Sequence, residues 1–386
     1  MEFSNLLFAL FIILVSAKVF GEIAQRLGQS PVIGELIAGV IIGGSVLNLI
    51  QPTDILHSLA EIGAILLLFQ VGVSSNLYEF LKVGIWAFLV ACVGVILPFL
   101  FGFLICLQFG YDMTHAIFIG AILTATSVGI TARVFSDFKK TNTDEAKIVL
   151  GAAVIDDVIG LAILAVVMKL ATTGTVSFLS ISKISGLAIL FLAGSIYLGV
   201  LLAPFLFKIL KAMKSEGALI VGAFAFCLLL SYLAALAGLA PIIGAFSAGL
   251  ILSINESKTH IEENIKPISD VFVPVFFVLM GALIDISIFN PFIPGNKTII
   301  LLAGVLFIAA VIGKALSGFV VIKKGINRLL IGVAMVPRGE VGLIFAGMGL
   351  TNHIINKSIY SAAVIVIILT TFITPFFLKL LFKEEK

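Results

Sequence analysis

Charge is what this sequence is short of. Only 12% of its 386 residues are charged and 61% are hydrophobic, whereas a soluble domain has about 25% and about 45–50%. So few charges cannot cover this much apolar surface in water, so the solvent is lipid. Histidine and cysteine are scarce as well. The four histidines show no metal-ligand spacing, so no resident metal site is expected, and no cofactor. Cys92, Cys106 and Cys227 lie inside apolar runs and read as small core hydrophobes that carry no redox information. No stretch of ordinary soluble composition exceeds a short loop, so no separate soluble domain and no nucleic-acid partner are expected. The first apolar run, Asn5 to Phe20, lacks a basic leader and a small-residue cleavage site, and reads as a retained span.

What is present is a succession of long apolar runs. A helical crossing takes roughly 20 such residues. Thirteen candidates run near 4–20, 31–50, 56–73, 83–107, 115–135, 147–171, 184–208, 217–237, 240–254, 268–287, 298–321, 328–350 and 358–382. The short ninth and the poorly bounded seventh leave twelve or fourteen open. With the loops placed alternately on two sides, one side holds 18 Lys and Arg and the other 4, with Lys314 and Arg338 inside spans. Cytoplasmic loops carry the basic excess. The chain is therefore expected to begin outside and end in the cytoplasm.

A weak self-match recurs at an offset near 210. Pro31-Val-Ile-Gly34 with Ala38-Gly39 returns as Pro241-Ile-Ile-Gly244 with Ala248-Gly249, and Ala152 to Ile155 returns as Ala362 to Ile365. The offset corresponds to seven spans, an odd number, so the two copies are expected in opposite orientations. Such inverted repeats place a transport site near the midplane. Asp156 and Asp157 align with Val366 and Ile367, so only one copy carries the carboxylates.

Ionisable residues deep in a span cost about 2.5–3.5 kcal/mol each on insertion scales and mark function by default. Asp156 and Asp157 sit mid-span, and adjacent helical residues diverge by about 100°, so they face different neighbours. Lys314 lies too deep in its span to reach an interface easily and needs a counter-charge; Asp156 or Asp157 is its natural partner. Two spans carry helix-breaking chemistry, at Thr124-Ala-Thr126-Ser127-Val-Gly129 and at Pro337-Arg338-Gly339-Glu340-Val-Gly342. Broken helices expose dipole ends that Arg338 and Glu340 can compensate. The hydroxyls of Thr126 and Ser127 either serve a hard cation, which prefers oxygen, or bond their own backbone. Glu35, Glu61, Gln70, Asp270 and Asp285 lie nearer span ends; Glu35 and Glu61 either line a cytoplasmic or external approach or, more simply, sit at an interface.

Together these motifs resemble bacterial sodium/proton antiporters of the NapA type, in the monovalent cation:proton antiporter superfamily, with an NhaA-like fold. The resemblance covers nearly the whole chain. It implies an all-α polytopic membrane protein of about 13 transmembrane helices with two crossed broken helices. Spans 4–6 (83–171) and 11–13 (298–382) would form the mobile ion-translocation core, and the remainder (1–73, 184–287) the dimerisation scaffold of a homodimer. Na⁺ or Li⁺ and H⁺ would compete at Asp156-Asp157 in the cytoplasmic membrane, with no chemistry of an enzyme. Members with this aspartate pair and the lysine are electrogenic. A K⁺/H⁺ exchanger of the same superfamily is the alternative, although no soluble regulatory domain of the potassium-efflux kind follows the last span. An intramembrane aspartyl protease is disfavoured, because its two aspartates must face each other from two helices.

Overall fold

The computed structural model describes residues 3–173, 178–213, 215, 217–290, 292 and 296–383, and among them it holds helices and no strand. In chain order the α-helices are α1 (Phe3–Arg26), α2 (Pro31–Ile42), α3 (Asp54–Ser74), α4 (Leu77–Lys82), α5 (Gly84–Gln108), α6 (Met113–Thr124), α7 (Val128–Asp137), α8 (Asp144–Thr173), α9 (Phe178–Ala212), α10 (Ala218–Leu236), α11 (Pro241–Leu252), α12 (Lys258–Ala282), α13 (Asn296–Ser317), α14 (Arg328–Ala334), α15 (Glu340–Thr351) and α16 (Lys357–Lys383). Among the described residues, eight segments are long and apolar enough to cross a membrane: Ser4–Arg26, Asp54–Ser74, Gly84–Gln108, Met113–Asp137, Ala218–Leu236, Lys258–Ala282, Asn296–Val320 and Lys357–Phe382. The expected spans 31–50 and 240–254 hold helices of only 12 residues each. At 1.5 Å per residue these rise about 18 Å, short of a hydrocarbon core of about 30 Å. Residues 174–177, within the connection expected between the sixth and seventh spans, lie outside the described residues.

Local chemistry starts these helices. Pro31 opens α2 behind Ser30, whose hydroxyl accepts from Val32 N at 3.3 Å, a pairing of N-cap and N1 proline that satisfies an orphan donor. Asp112 caps α6 through His115 N at 2.9 Å, and Asn327 caps α14 through Leu330 N at 3.0 Å.

The chain divides into two compact units. The first comprises residues 1–82, 135–143 and 183–283. Its packing rests on glycines that let backbones touch, as expected where lipid supplies no hydrophobic drive between helices. A Cβ at Gly34 would meet the Phe20 carbonyl oxygen at 2.1 Å, and one at Gly244 would meet that of Leu230 at 2.2 Å. Likewise a Cβ at Gly39 would meet Val278 O at 2.0 Å, and one at Gly249 would meet Phe69 O at 2.3 Å. The partners shift together by about 210 positions. So α1 packs on α2 as α10 packs on α11, and α2 packs on α12 as α11 packs on α3. The self-match in the sequence is the trace of these paired close approaches. Gly39→Val is expected to lower stability by at least about 1–3 kcal/mol, the usual range for overpacking, since backbone cannot give way to it. Thermal unfolding in detergent reads the loss; Gly304→Ala, with nothing within 4 Å of the added carbon, should leave the midpoint in place.

The second unit comprises residues 83–134, 144–182 and 284–386. In it α5 packs against α6, α8 and α13, and α16 against α13, α14 and α15. Its apolar core is built around Phe118, Ile119, Ile122, Leu306, Phe345 and Ile359, all buried. The pairs α6/α7 and α14/α15 are each one apolar run broken in the middle by extended backbone, at 125–127 and at 336–339.

Candidate functional site

The second unit brings the deep polar residues together. α8 carries Asp156 and Asp157 near its middle, 2% and 7% exposed, while Lys314 of α13 is fully buried. Lys314 Nζ donates to both oxygens of Asp156, at 3.3 Å to Oδ1 and 3.2 Å to Oδ2. Asp157 points elsewhere on the helix, as neighbours 100° apart must. One turn on, a Cβ at Gly160 would touch only Phe345 Cζ, at 3.9 Å.

The two breaks cross each other. Ser127 N donates to Pro337 O at 2.8 Å, joining one extended segment to the other. The second break and α7 each supply a donor to the end of the half-helix opposite. Arg338 Nη2 donates to Leu123 O at 2.9 Å, in the last turn of α6, and to Ala310 O at 3.4 Å, while Nη1 reaches Val336 O at 2.6 Å. Thr131 Oγ1 donates to Ala334 O at 2.7 Å, the last residue of α14. Helix C-termini leave carbonyls unpaired and carry partial negative charge, so a buried guanidinium and a hydroxyl are fitting caps. Thr371 of α16 donates its hydroxyl to Arg338 O and holds the second break.

Thr126 and Ser127 are buried, at 3% and 1% exposure. Neither hydroxyl closes a well-formed hydrogen bond among the described residues, although Thr126 sits beside the Asp156 carboxylate. The alternative of a bond to their own helix does not hold, because both lie in the break rather than in a helix. Glu340 is the first residue of α15; its side chain lies outside the described residues. Glu35 is 3% exposed inside α2, which packs against α1 and α12. Glu61, Asp270 and Asp285 are exposed.

Residues at the start of α8 fix its position relative to the second break. Glu145 Oε1 accepts from Asn327 N at 3.0 Å, just before α14, and Lys323 pairs with Asp144. The Lys323 ammonium, first through its hydrogen bond and then through its charge, holds the Asp144 carboxyl below its ordinary range. A lowered carboxyl stabilises the fold above its unfolded value, near about 3.9, and that contribution is lost as pH falls through the folded value. Both side chains are more than a third exposed, at 44% and 42%, so the pair is worth under about 1 kcal/mol. Lys323→Ala should therefore shift unfolding slightly at pH 7, and by less as pH falls below the ordinary carboxylate range, as thermal melts across that range will show.

Sequence reasoning missed Thr131 and Thr371. Polar residues within apolar spans were the available signal, but an isolated threonine more often bonds its own helix, as Thr370 and Thr374 do here.

Interrupted helices that cross, with charged groups buried at the crossing, are the architecture of secondary transporters. The family described as "Sodium/hydrogen exchanger, transmembrane" matches residues 9–384, and the chain belongs to it. It is 38% identical to the high-affinity Na⁺/H⁺ antiporter NhaS3 of Synechocystis sp., over 99% of this chain and 91% of that protein. It is 36% identical to the Na⁺/H⁺-K⁺ antiporter GerN of Bacillus cereus, over 99% of this chain and 97% of that one. Its fold is that of the sodium proton antiporter MjNhaP1 from Methanocaldococcus jannaschii, with a TM-score of 0.69, 20% identity, and coverage of 99% of this chain and 98% of the other. The protein is thus a polytopic membrane protein of a transport family.

Proposed function

We propose that this chain exchanges sodium or lithium for protons across the cytoplasmic membrane, by alternating access at Asp156 and Asp157. The observation that carries the reading is the buried Lys314–Asp156 pair, with Asp157 next to it on α8 and the Thr126 hydroxyl beside Asp156. These are oxygen ligands of the kind a hard cation takes. A carboxylate that holds a cation cannot hold a proton on the same oxygen, and competition for one site couples the two fluxes. Na⁺ and H⁺ are cargo, and the mechanism needs no cofactor.

The second unit is the moving core in this reading, since every proposed ligand lies in it, and the first is the scaffold of a homodimer. The helical segments would span the membrane with the two copies inverted, the N-terminus outside and the C-terminus in the cytoplasm, as the loop charges favour. An aspartate pair together with a membrane-buried lysine supports the NapA type and electrogenic exchange. Moving one net charge is worth about 2.3 kcal/mol per 100 mV, so the membrane potential would help expel sodium. The name of GerN supports potassium as a second cation. Proteoliposomes holding a pH-sensitive dye, given each alkali cation with the potential clamped, test the proposal. Saturable proton movement driven by sodium, and steepened by potential, is expected. Proton movement indifferent to every alkali cation would refute it.

A further inference from the structure

An ammonium on Lys314 has three donors, and among the described residues it gives hydrogen bonds only to Asp156. A cation that claims Asp156 would leave this fully buried charge in need of another acceptor. α5 runs beside it: a Cβ at Gly94 would stand 3.6 Å from Lys314 Nζ and 3.6 Å from its Cδ. With no side chain at 94, nothing of that residue stands between the ammonium and the α5 backbone. One turn further along α5 is Pro98, buried inside the helix. Proline has no N–H, so the carbonyl of Gly94 lacks its usual i+4 donor. Pro98 is itself pressed against the residue before the lysine, since a Cβ at Gly313 would lie 3.0 Å from Pro98 N. The missing donor and the lysine thus meet at one crossing of α5 and α13.

We infer that the Gly94 carbonyl, released by Pro98, is the second acceptor of Lys314, taken up when the transported cation claims Asp156. The inference rests on the exchange reading above. Gly94 and Pro98 are positioning residues: they touch no cation, and they stabilise the cation-loaded core by giving its displaced lysine a partner.

Pro98→Ala restores an N–H that occupies the Gly94 carbonyl, and Pro98→Gly does the same with no side chain left at 98. Apparent sodium affinity is read from the sodium dependence of thermal unfolding of the purified protein, so no turnover is needed. Both variants should bind sodium about tenfold more weakly, the order expected when one hydrogen bond to a charged group is lost. Pro204→Ala, an exposed proline within α9, should bind as wild type does. In a Lys314→Gln background Pro98→Ala should change affinity less than twofold, because the group that needs the acceptor is gone. Unchanged affinity in both Pro98 variants, or an equal loss with and without Lys314, overturns the inference. Wild-type protein that fails to exchange sodium for protons in proteoliposomes instead overturns the functional reading beneath it.

Discussion

Asp157→Asn should abolish sodium-dependent proton movement in proteoliposomes while the protein stays folded. Asparagine keeps the shape of aspartate, so packing on α8 is preserved. Its amide neither releases a proton near neutral pH nor offers a negative charge to a cation in a site only 7% exposed. Asp156 alone would leave the cation one carboxylate short, because its own charge is already balanced by Lys314. A cation entering a dry site without a counter-charge faces a desolvation penalty of several kcal/mol. A fall in rate of at least about 100-fold, roughly 2.7 kcal/mol at about 1.4 kcal/mol per decade, is the minimum expected. The assay is dye-reported exchange, run beside a thermal melt in detergent to show that the variant folds. Exchange at the wild-type rate would remove Asp157 from the mechanism.

The largest stability effect is expected at Lys314. Lys314→Ala strands a carboxylate that is 2% exposed, and breaking a buried pair from one side costs about 3–5 kcal/mol. The remaining Arg338 does not substitute for it: the guanidinium is committed to the carbonyls of Leu123, Ala310 and Val336. Removing both charges together, as Asp156→Asn with Lys314→Met, should recover most of the loss, since an apolar replacement of a buried pair is often neutral. The single variant should also exchange without net charge movement if it exchanges at all. Detergent melts of the single and double variants, with exchange measured at clamped potentials, check both effects. A Lys314→Ala protein as stable as wild type and equally electrogenic would refute the role given to the pair.

Much of this site was legible because lipid makes polarity conspicuous. In a chain with 12% charged residues, Asp156, Asp157 and Lys314 stand out, and burial leaves Lys314 few partners to choose from. The breaks were legible for a related reason: Thr-Ala-Thr-Ser and Pro-Arg-Gly interrupt apolar runs with residues that favour non-helical backbone. The repeat could be read from Gly34 and Gly39 with their counterparts because close backbone contact tolerates no side chain, so the glycines persist where other identities drift. What could not be read was the destination of each hydrogen bond. Arg338 reaching Leu123 O spans 215 positions, and no local pattern encodes it. Helix lengths were overestimated at 31–50 and 240–254 because an apolar run continues past its helix: residues 43–50 are apolar enough for a span but turn back through Gly43 and Gly44.

Competition between one cation and protons at Asp157 is the point on which the account stands. It is measured most directly by adding sodium to purified wild-type protein in weakly buffered solution and recording proton release against sodium bound. The account predicts release that saturates with sodium binding and disappears in Asp157→Asn. Sodium that binds while no proton leaves, or release undiminished in that variant, would contradict it.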